Sequence, residues 1–220
     1  MQPEFVRDDL KKFIDTEIKP KYKNFDSAHD ISHFEFVTNN CINYAKSLQN
    51  KGFDINLEIA YVVGALHDIG IENGRENHAK SSGAFVRANK TLASFFDAET
   101  IELISQAVED HSSHLEYEPR SIYGKLVADA DRNNSVYLVF SRPVKFGIKH
   151  ESHLNRSEQI ERVFNFVQNK FGRNGYVKYW LDIPETTQAQ NDVWTLLDDE
   201  KSCKLYIAGL IDEFTNGTLE

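Results

Sequence analysis

The stretch that decides the fold is Ala60-Tyr-Val-Val-Gly-Ala-Leu-His67-Asp68-Ile69-Gly70. This stretch forms most of a helix predicted over residues 57–69, with Gly70 as its stop. The helix is apolar on nearly every side, which predicts a position at the centre of a bundle. Burying His67 and Asp68 at its end is costly unless both side chains are satisfied. A hydrogen-bonded pair would satisfy them, and so would a metal ion, because imidazole nitrogen and carboxylate oxygen are both metal ligands.

The rest of the chain also shows helical periodicity, which predicts an all-α fold. The last third is the least regular, and residues 137–140 and 176–181 fit either short strands or buried helix segments. Residues 141–153 interrupt the apolar pattern. The predicted domains are therefore a core of 1–140 and a mostly helical extension of 141–220 packed on it. Besides 57–69, helices are predicted near the N-terminus and at 27–48, 78–89, 99–111, 121–136, 157–171, 188–197 and 201–214.

Composition limits the classes of partner. The 220 residues carry a formal net charge of −9, which disfavours nucleic acid and anionic membranes as partners. An anionic substrate stays compatible, because a bound cation would dominate the field inside a cleft. The charged N-terminus without an apolar signal core, the absence of a long apolar run and only two cysteines predict a cytoplasmic protein without a membrane span.

Other ionisable residues also lie on predicted helix faces that point inward. His33 lies on the same stripe as Val37 and Cys41, and Asp129 and Asp131 lie in a largely apolar helix. A single inward histidine is more often a satisfied core residue than a ligand. When three separate helices each send ionisable groups toward the core, a shared cation is the simplest joint explanation.

Three motifs make the chain similar to the HD-domain superfamily of metal-dependent phosphohydrolases. The stretch Ala28-His-Asp-Ile-Ser-His33 resembles the AHDxxH start of its small bacterial members, Leu66-His-Asp-Ile69 their LHDI, and Asp129-Ala-Asp-Arg132 their DADR. The resemblance covers roughly the first 140 residues. It implies an all-helical core with four metal ligands: His33, His67, Asp68 and Asp131. Asp131 is preferred to Asp129 because the Ala-Asp-Arg context carries the family ligand. Asp129 is then expected to contact a ligand residue or to have a structural role.

His78 and His111 match further positions of the superfamily. In its binuclear members, histidines there complete a second metal site bridged by the aspartate of the HD pair, and in mononuclear members they face the substrate phosphate. We expect a site role for both, although histidines at helix ends are often inert. No role is expected for His114, and His29 is expected to cap a helix or support a ligand. The cofactor is expected to be one divalent ion (Mn, Fe, Co, Ni, Zn or Mg), with a second possible through His78 and His111.

The predicted function is metal-dependent hydrolysis of a phosphomonoester, phosphodiester or nucleotide by a metal-activated water. The catalytic residues are expected to be Asp68, orienting the water, and His78 and His111, holding phosphate oxygens. Arg132 is expected either to clamp phosphate or to form a structural ion pair. Two alternatives stay open: a di-iron oxygenase of the same fold, and a non-catalytic metal- or nucleotide-binding regulatory module. The expected partner is a small phosphorylated molecule, and the sequence does not indicate an oligomeric state.

Overall fold

The structure, a computed structural model, describes residues 6–25, 29–113, 115, 117–132 and 135–219. These residues form α-helices joined by turns and contain no β-strand, which confirms the predicted all-α class. The helices are α1 (Asp8–Phe13, continued by a π turn Ile14–Ile18 and a 3₁₀ turn Lys19–Asn24), α2 (Ile31–Asn50), α3 (Leu57–Leu66), α4 (His78–Ala88), α5 (Leu92–Phe95), α6 (Ala98–Glu109), α7 (Ile122–Asp131), α8 (Val136–His150), α9 (Arg156–Phe171), α10 (Pro184–Asp198) and α11 (Glu200–Thr215).

The chain divides into two compact units. The first unit comprises Met1–Arg132 and Tyr179–Ile183, and the second comprises Asn133–Lys178 and Pro184–Glu220. The predicted break at residues 141–153 lies largely inside α8, which continues through Pro143. The predicted domain organisation, a core of 1–140 with 141–220 packed on it, stays a prediction.

The first unit is built around α3, every residue of which from Ile59 to Leu66 is buried. Helix α2 crosses α3 at Gly64, where a Cβ atom would lie 2.9 Å from the Sγ atom of Cys41. This glycine therefore permits the close approach of the two helices. Asp30 caps α2 by accepting hydrogen bonds from the backbone N–H groups of Ser32 and His33, which fixes the first turn of that helix. Ser27, where this helix was predicted to begin, lies outside the described residues.

The 3₁₀ turn Ile69–Asn73 after α3 packs against α4. A Cβ atom on Gly70 would lie 2.3 Å from the carbonyl oxygen of His78 and 2.4 Å from the amide nitrogen of Ser82. The Gly70 N–H donates to the Ser82 hydroxyl at 2.9 Å. Glycine at this position thus lets the start of α4, which carries His78, lie directly against the end of α3.

The segment Tyr179–Ile183 joins the first unit from a distant part of the sequence. Leu181 and Ile183 are buried in the core around α3. The segment is neither helix nor strand, so the predicted strand or helix at 176–181 is wrong, and residues 137–140 lie in α8. Its backbone N–H groups bond to a side chain instead, as described below.

The second unit has its own apolar core, formed by α8, α9, α10 and α11. Val139 and Phe140 of α8 pack there with Val163 of α9 and Ile207 of α11. Helix α9 starts with a capping box between Asn155 and Glu158. In the described part of the chain, no helix is long and apolar enough to cross a membrane.

Candidate metal centre

His67 and Asp68 follow directly after α3, and both side chains are buried. The Nδ1 atom of His67 lies 2.8 Å from the carbonyl oxygen of Gly64, one helical turn earlier. The buried hydroxyl of Tyr22 donates to the neighbouring carbonyl oxygen of Ala65 at 2.9 Å. These contacts fix the end of α3, so that the Nε2 atom of His67 is the one that faces other ligand groups.

The first cluster comprises His33, His67, Asp68 and Asp131, the four predicted metal ligands. The Nε2 atoms of His33 and His67 lie 3.2 Å apart. The Oδ2 atom of Asp68 lies 3.4 Å from the first and 3.0 Å from the second. The Oδ1 atom of Asp131 lies 3.1 Å from His33 Nε2 and 3.8 Å from His67 Nε2. The structure therefore brings all four side chains together.

The second cluster comprises Asp68, His78 and His111. The Oδ1 atom of Asp68 lies 3.4 Å from the Nε2 atom of each histidine. The two Nε2 atoms lie 2.9 Å apart. His111 is buried, whereas the side chain of His78 is 23% exposed. One carboxylate thus belongs to both clusters, with one oxygen in each.

The spacing of these atoms suits coordination. Ligand atoms about 2.1 Å from an ion and 90–109° apart are separated by roughly 3.0–3.4 Å. The nitrogen and oxygen atoms of His33, His67 and Asp68 all lie within 4.8 Å of one another, as do those of Asp68, His78 and His111. Each cluster can therefore hold one ion without a rearrangement of the backbone.

Hydrogen bonds at the far side of three imidazole rings determine which nitrogen faces the centre. The Nδ1 atoms of His67, His78 and His111 lie 2.5–2.8 Å from the carbonyl oxygens of Gly64, Arg75 and Val108, each three residues earlier. A carbonyl oxygen only accepts hydrogen bonds, so each Nδ1 carries the hydrogen. In the neutral ring the Nε2 lone pair then points at the cluster, as is usual for histidine ligands of metals.

A cation fits the resulting arrangement. The facing lone pairs of His78 and His111 repel each other at 2.9 Å unless positive charge lies near both. Among the described residues, the Oδ2 atom of Asp68 is a buried carboxylate oxygen without a hydrogen-bond donor. Both features cost free energy in an apolar interior, and a metal ion would relieve both.

The pKa shifts follow from the same geometry. Burial opposes the charged form of His33, but the contacts with Asp131 and Asp68 outweigh it and raise the pKa of His33 to about 9. Burial likewise opposes ionisation of Asp68, and its histidine neighbours nevertheless hold the pKa of Asp68 well below its usual value. The pKa of His78 is lowered by burial and by the neighbouring His111. The carboxylates thus supply negative charge to the centre at neutral pH.

Asp129 and Arg132 lie outside both clusters. Asp129 is buried and accepts hydrogen bonds from the backbone N–H groups of Trp180 and Leu181 at 2.8–3.0 Å. The Arg132 guanidinium donates to Asp129 at 2.7 Å and lies over the ring of Tyr179. Burial raises the pKa of Asp129 to about 6, which leaves it ionised at neutral pH. The structure thus places Arg132 in the ion pair that was one of its two predicted roles, and phosphate binding by Arg132 stays a prediction.

His29 lies beside the clusters rather than in them. Its ring centroid is 6.0 Å from that of His33 and 6.2 Å from that of His78. Its Nδ1 atom lies 3.4 Å from the guanidinium of Arg75. The cap of α2 is Asp30, so capping by His29 is wrong. His114 lies outside the described residues.

Sequence patterns did not indicate several residues that support the site. Tyr22 lies between Lys21 and Lys23 and had no sequence signal, and Trp180 and Leu181 contribute only backbone groups. The buried Asp110, next to His111, forms an ion pair with the exposed Arg120. The adjacency of Asp110 to a candidate histidine in Glu109-Asp-His111 was the one available clue.

Comparison with known families agrees with this geometry. The model of the family described as HD domain matches residues 30–133. Residues 30–133 form an HD domain. All six side chains of the two clusters lie within the matched residues, whereas Tyr22 and Tyr179–Ile183 lie outside them. No curated protein and no solved structure matches the chain. An HD domain implies a fold of the metal-dependent hydrolase kind, and its buried histidine and aspartate groups can hold metal ions.

Proposed function

We propose that this HD-domain protein is a phosphohydrolase that uses two divalent ions sharing Asp68. The observation that carries the proposal is the position of the Asp68 carboxylate, whose two oxygens lie in different clusters. Its Oδ2 atom lies 3.0 Å from His67 and its Oδ1 atom 3.4 Å from His111. A carboxylate whose two oxygens face different imidazole pairs is suited to bridge two ions. Two ions held by these residues would stabilise the attacking and the leaving oxygen in phosphoryl transfer.

The donor set narrows the choice of metal. Four imidazole nitrogens and two carboxylates form the two clusters, and the carboxylates add two negative charges. This mixture suits Mn²⁺, Fe²⁺, Co²⁺, Ni²⁺ or Zn²⁺ better than Mg²⁺, which prefers oxygen ligands. Divalent ions bound there would acidify a water molecule and neutralise charge on a phosphoryl group.

Exposure indicates where substrate approaches the clusters. The side chains of His33, His67, Asp68 and His111 are at most 3% exposed. By contrast, His78 is 23% and Asp131 28% exposed. The partly exposed members mark the open side of the centre. Arg75, whose guanidinium contacts His29 near His78, adds a positive charge suited to a phosphate at this opening.

The chain's own side chains have distinct parts in the proposed reaction. The hydrogen bonds from Nδ1 to backbone carbonyls keep the rings of His67, His78 and His111 oriented without a rearrangement during the reaction. Asp68 is positioned to orient water between the two clusters. His78, at the opening, is positioned to hold the ion of the second cluster. Its lowered pKa keeps the ring neutral at pH 7, so that Nε2 stays available as a ligand.

The experiment is a hydrolysis panel on protein freed of metal by a chelator and then supplied with Mn²⁺. The panel contains a phosphomonoester, a phosphodiester and several nucleotides. We expect turnover of at least one class with Mn²⁺ and none with the chelator alone. His67→Ala and Asp68→Ala should abolish it, whereas His153→Ala, which removes an exposed histidine of the second unit, should not. Unchanged turnover in either cluster variant would contradict the proposal.

The second cluster also favours one other candidate, the di-iron oxygenase. That alternative requires His78 and His111 beside Asp68, and the structure has both within 3.4 Å of it. Elemental analysis of the purified protein distinguishes the two functions, when it is combined with oxygen-uptake measurements on the iron-loaded protein. Oxygen uptake dependent on iron, together with no hydrolysis in the panel, would favour the oxygenase.

A further inference from the structure

Two buried carboxylates next to the clusters have no part in the proposed chemistry. Asp110 and Asp129 are both 0% exposed. Asp110 caps the C-terminus of α6 and directly precedes His111, and Asp129 lies in the last turn of α7, two residues before Asp131. Each therefore adjoins a ligand of a different cluster. Buried carboxylates are costly unless they are paired and hydrogen-bonded, so their partners show what they hold in place.

Asp129 connects the end of α7 to the segment Tyr179–Ile183. Its two oxygens accept from the backbone N–H groups of Trp180 and Leu181, and Arg132 pairs with it from the residue that follows α7. Residues two apart on a helix point about 200° apart. Asp129 therefore reaches away from the first cluster while Asp131 reaches into it. We call Asp129, Arg132 and residues 180–181 the α7 clamp.

Asp110 connects the end of α6 to the residues just before α7. It accepts from the backbone N–H of Arg120 at 2.7 Å and from the guanidinium of the same residue at 2.8–3.1 Å. The hydroxyl of Tyr117 donates to it at 3.2 Å. We call Asp110 and Arg120 the α6 clamp. Both clamps thus combine a buried carboxylate, an arginine and backbone N–H donors from later in the chain.

We propose that the two clamps are independent positioning devices, one for each metal ion. The α7 clamp fixes the last turn of α7 and so places Asp131 in the first cluster. The α6 clamp fixes the residue before His111 and so places that ring in the second cluster. The inference rests on the proposed two-ion centre. On this proposal, the segment Tyr179–Ile183 helps to position Asp131 in the first metal site, although the segment lies outside the matched HD domain.

The two clamps serve as matched controls for each other. Asp129→Asn and Asp110→Asn keep the shape of each side chain and remove its charge, which weakens the hold on arginine and on the backbone donors. Each substitution is combined with a second one that disrupts one cluster and leaves the other intact, and Co²⁺ binding to the intact cluster is measured. His78→Ala leaves the first cluster complete, and His33→Ala leaves the second. Full-length proteins are titrated with Co²⁺, whose affinity is measured by calorimetry and whose visible absorption reports its coordination.

We expect a crossed pattern. With only the first cluster intact, Asp129→Asn should weaken Co²⁺ binding about 10- to 100-fold and alter the absorption bands, while Asp110→Asn leaves both unchanged. With only the second cluster intact, Asp110→Asn should weaken Co²⁺ binding and alter the absorption bands, while Asp129→Asn leaves both unchanged. Equal effects of either variant on both clusters, or no effect on either, would overturn the proposal. A merely structural role would lower the unfolding midpoint without this crossed pattern in the spectra.

Two further outcomes are distinguishable. If Asp129→Asn or Asp110→Asn fails to fold, Arg132→Gln and Arg120→Gln take over the test, because each removes one clamp's guanidinium and leaves the carboxylate with its backbone donors. The same crossed pattern, with smaller changes in affinity, is then expected, and its absence overturns the inference. Failure of the parent protein to bind Co²⁺ at all would instead overturn the proposed function on which the inference rests.

Discussion

The Nε2 atoms of His78 and His111 face each other at 2.9 Å, and both rings donate from Nδ1 to a backbone carbonyl. Neither nitrogen of a neutral pair has a hydrogen to give the other. Burial lowers the pKa of His111, but the contact with Asp68 outweighs burial and raises it. The contact between the two rings therefore requires a positive charge, either a proton on His111 or a bound metal ion.

Metal should stabilise the folded chain. Because the clusters form only when α2, α3, α4, α6 and α7 are packed, ions bind the native state and not the unfolded one. A free ion concentration one hundred times Kd should add about 2.7 kcal/mol per site to the free energy of unfolding. Thermal unfolding with and without Mn²⁺ measures this shift. The shift should be much smaller in Asp68→Ala, and an equal shift in that variant would show that the ions bind elsewhere.

The number of bound ions should follow the division of ligands between clusters. The parent protein should bind two ions per chain, His33→Ala one and His78→Ala one, because each variant loses a ligand of one cluster only. Asp68→Ala should lose both, since its carboxylate belongs to both. Metal content after equilibrium dialysis measures the stoichiometry, with His153→Ala as the control. One ion in the parent and in His78→Ala, with none in His33→Ala, would reduce the centre to the first cluster.

Binding to the first cluster should release a proton. Contacts with Asp131 and Asp68 outweigh burial and raise the pKa of His33 to about 9, so this ring is protonated at pH 7 when no ion is bound. An ion must displace that proton. In His78→Ala, affinity should therefore fall about tenfold for each pH unit below 9 and change little above it. Calorimetry in buffers of different ionisation enthalpy measures the proton directly. An affinity that does not vary between pH 7 and 9 would contradict this pKa shift.

Gly70 should be required for the position of His78. A Cβ atom there would lie 2.3 Å from the His78 carbonyl oxygen and 2.4 Å from Ser82 N, and backbone atoms cannot yield as a flexible side chain would. Gly70→Ala should cost about 1–3 kcal/mol of stability and weaken binding at the second cluster.

The matched control for this change is Gly209→Ala, at an exposed site inside α11 where nothing lies within 4 Å of the added Cβ. It should stabilise by about 0.5–1 kcal/mol, because alanine favours the helix. Chemical denaturation measures both variants. A Gly70→Ala protein as stable as the parent, with unchanged metal content, would refute this role.

The sequence allowed prediction of those site residues that interrupt an apolar pattern. His67 and Asp68 could be identified because α3 is buried around its whole circumference, and His33 because it shares the inward stripe of α2. The partners of Asp129 could not, because Trp180 and Leu181 bind it through N–H groups that every residue except proline carries. Periodicity contains no information about such a contact.

Helix ends were harder to predict than helix centres. The predicted helix 121–136 stops at Asp131, where Arg132 turns to an extended conformation and pairs with Asp129. The predicted break at 141–153 is largely helical, since Pro143 removes one backbone donor while Phe140 and Val144 pack in the core of the second unit. In both places tertiary contacts outweighed the local signal.

The most direct test of the central claim is the position of bound ions. Crystals of the full chain grown with Mn²⁺ should give two anomalous peaks about 3.5–4 Å apart. One peak should lie among His33, His67, Asp68 and Asp131, and the other among Asp68, His78 and His111. Protein with full Mn²⁺ occupancy at other residues, and none at either cluster, would contradict the account.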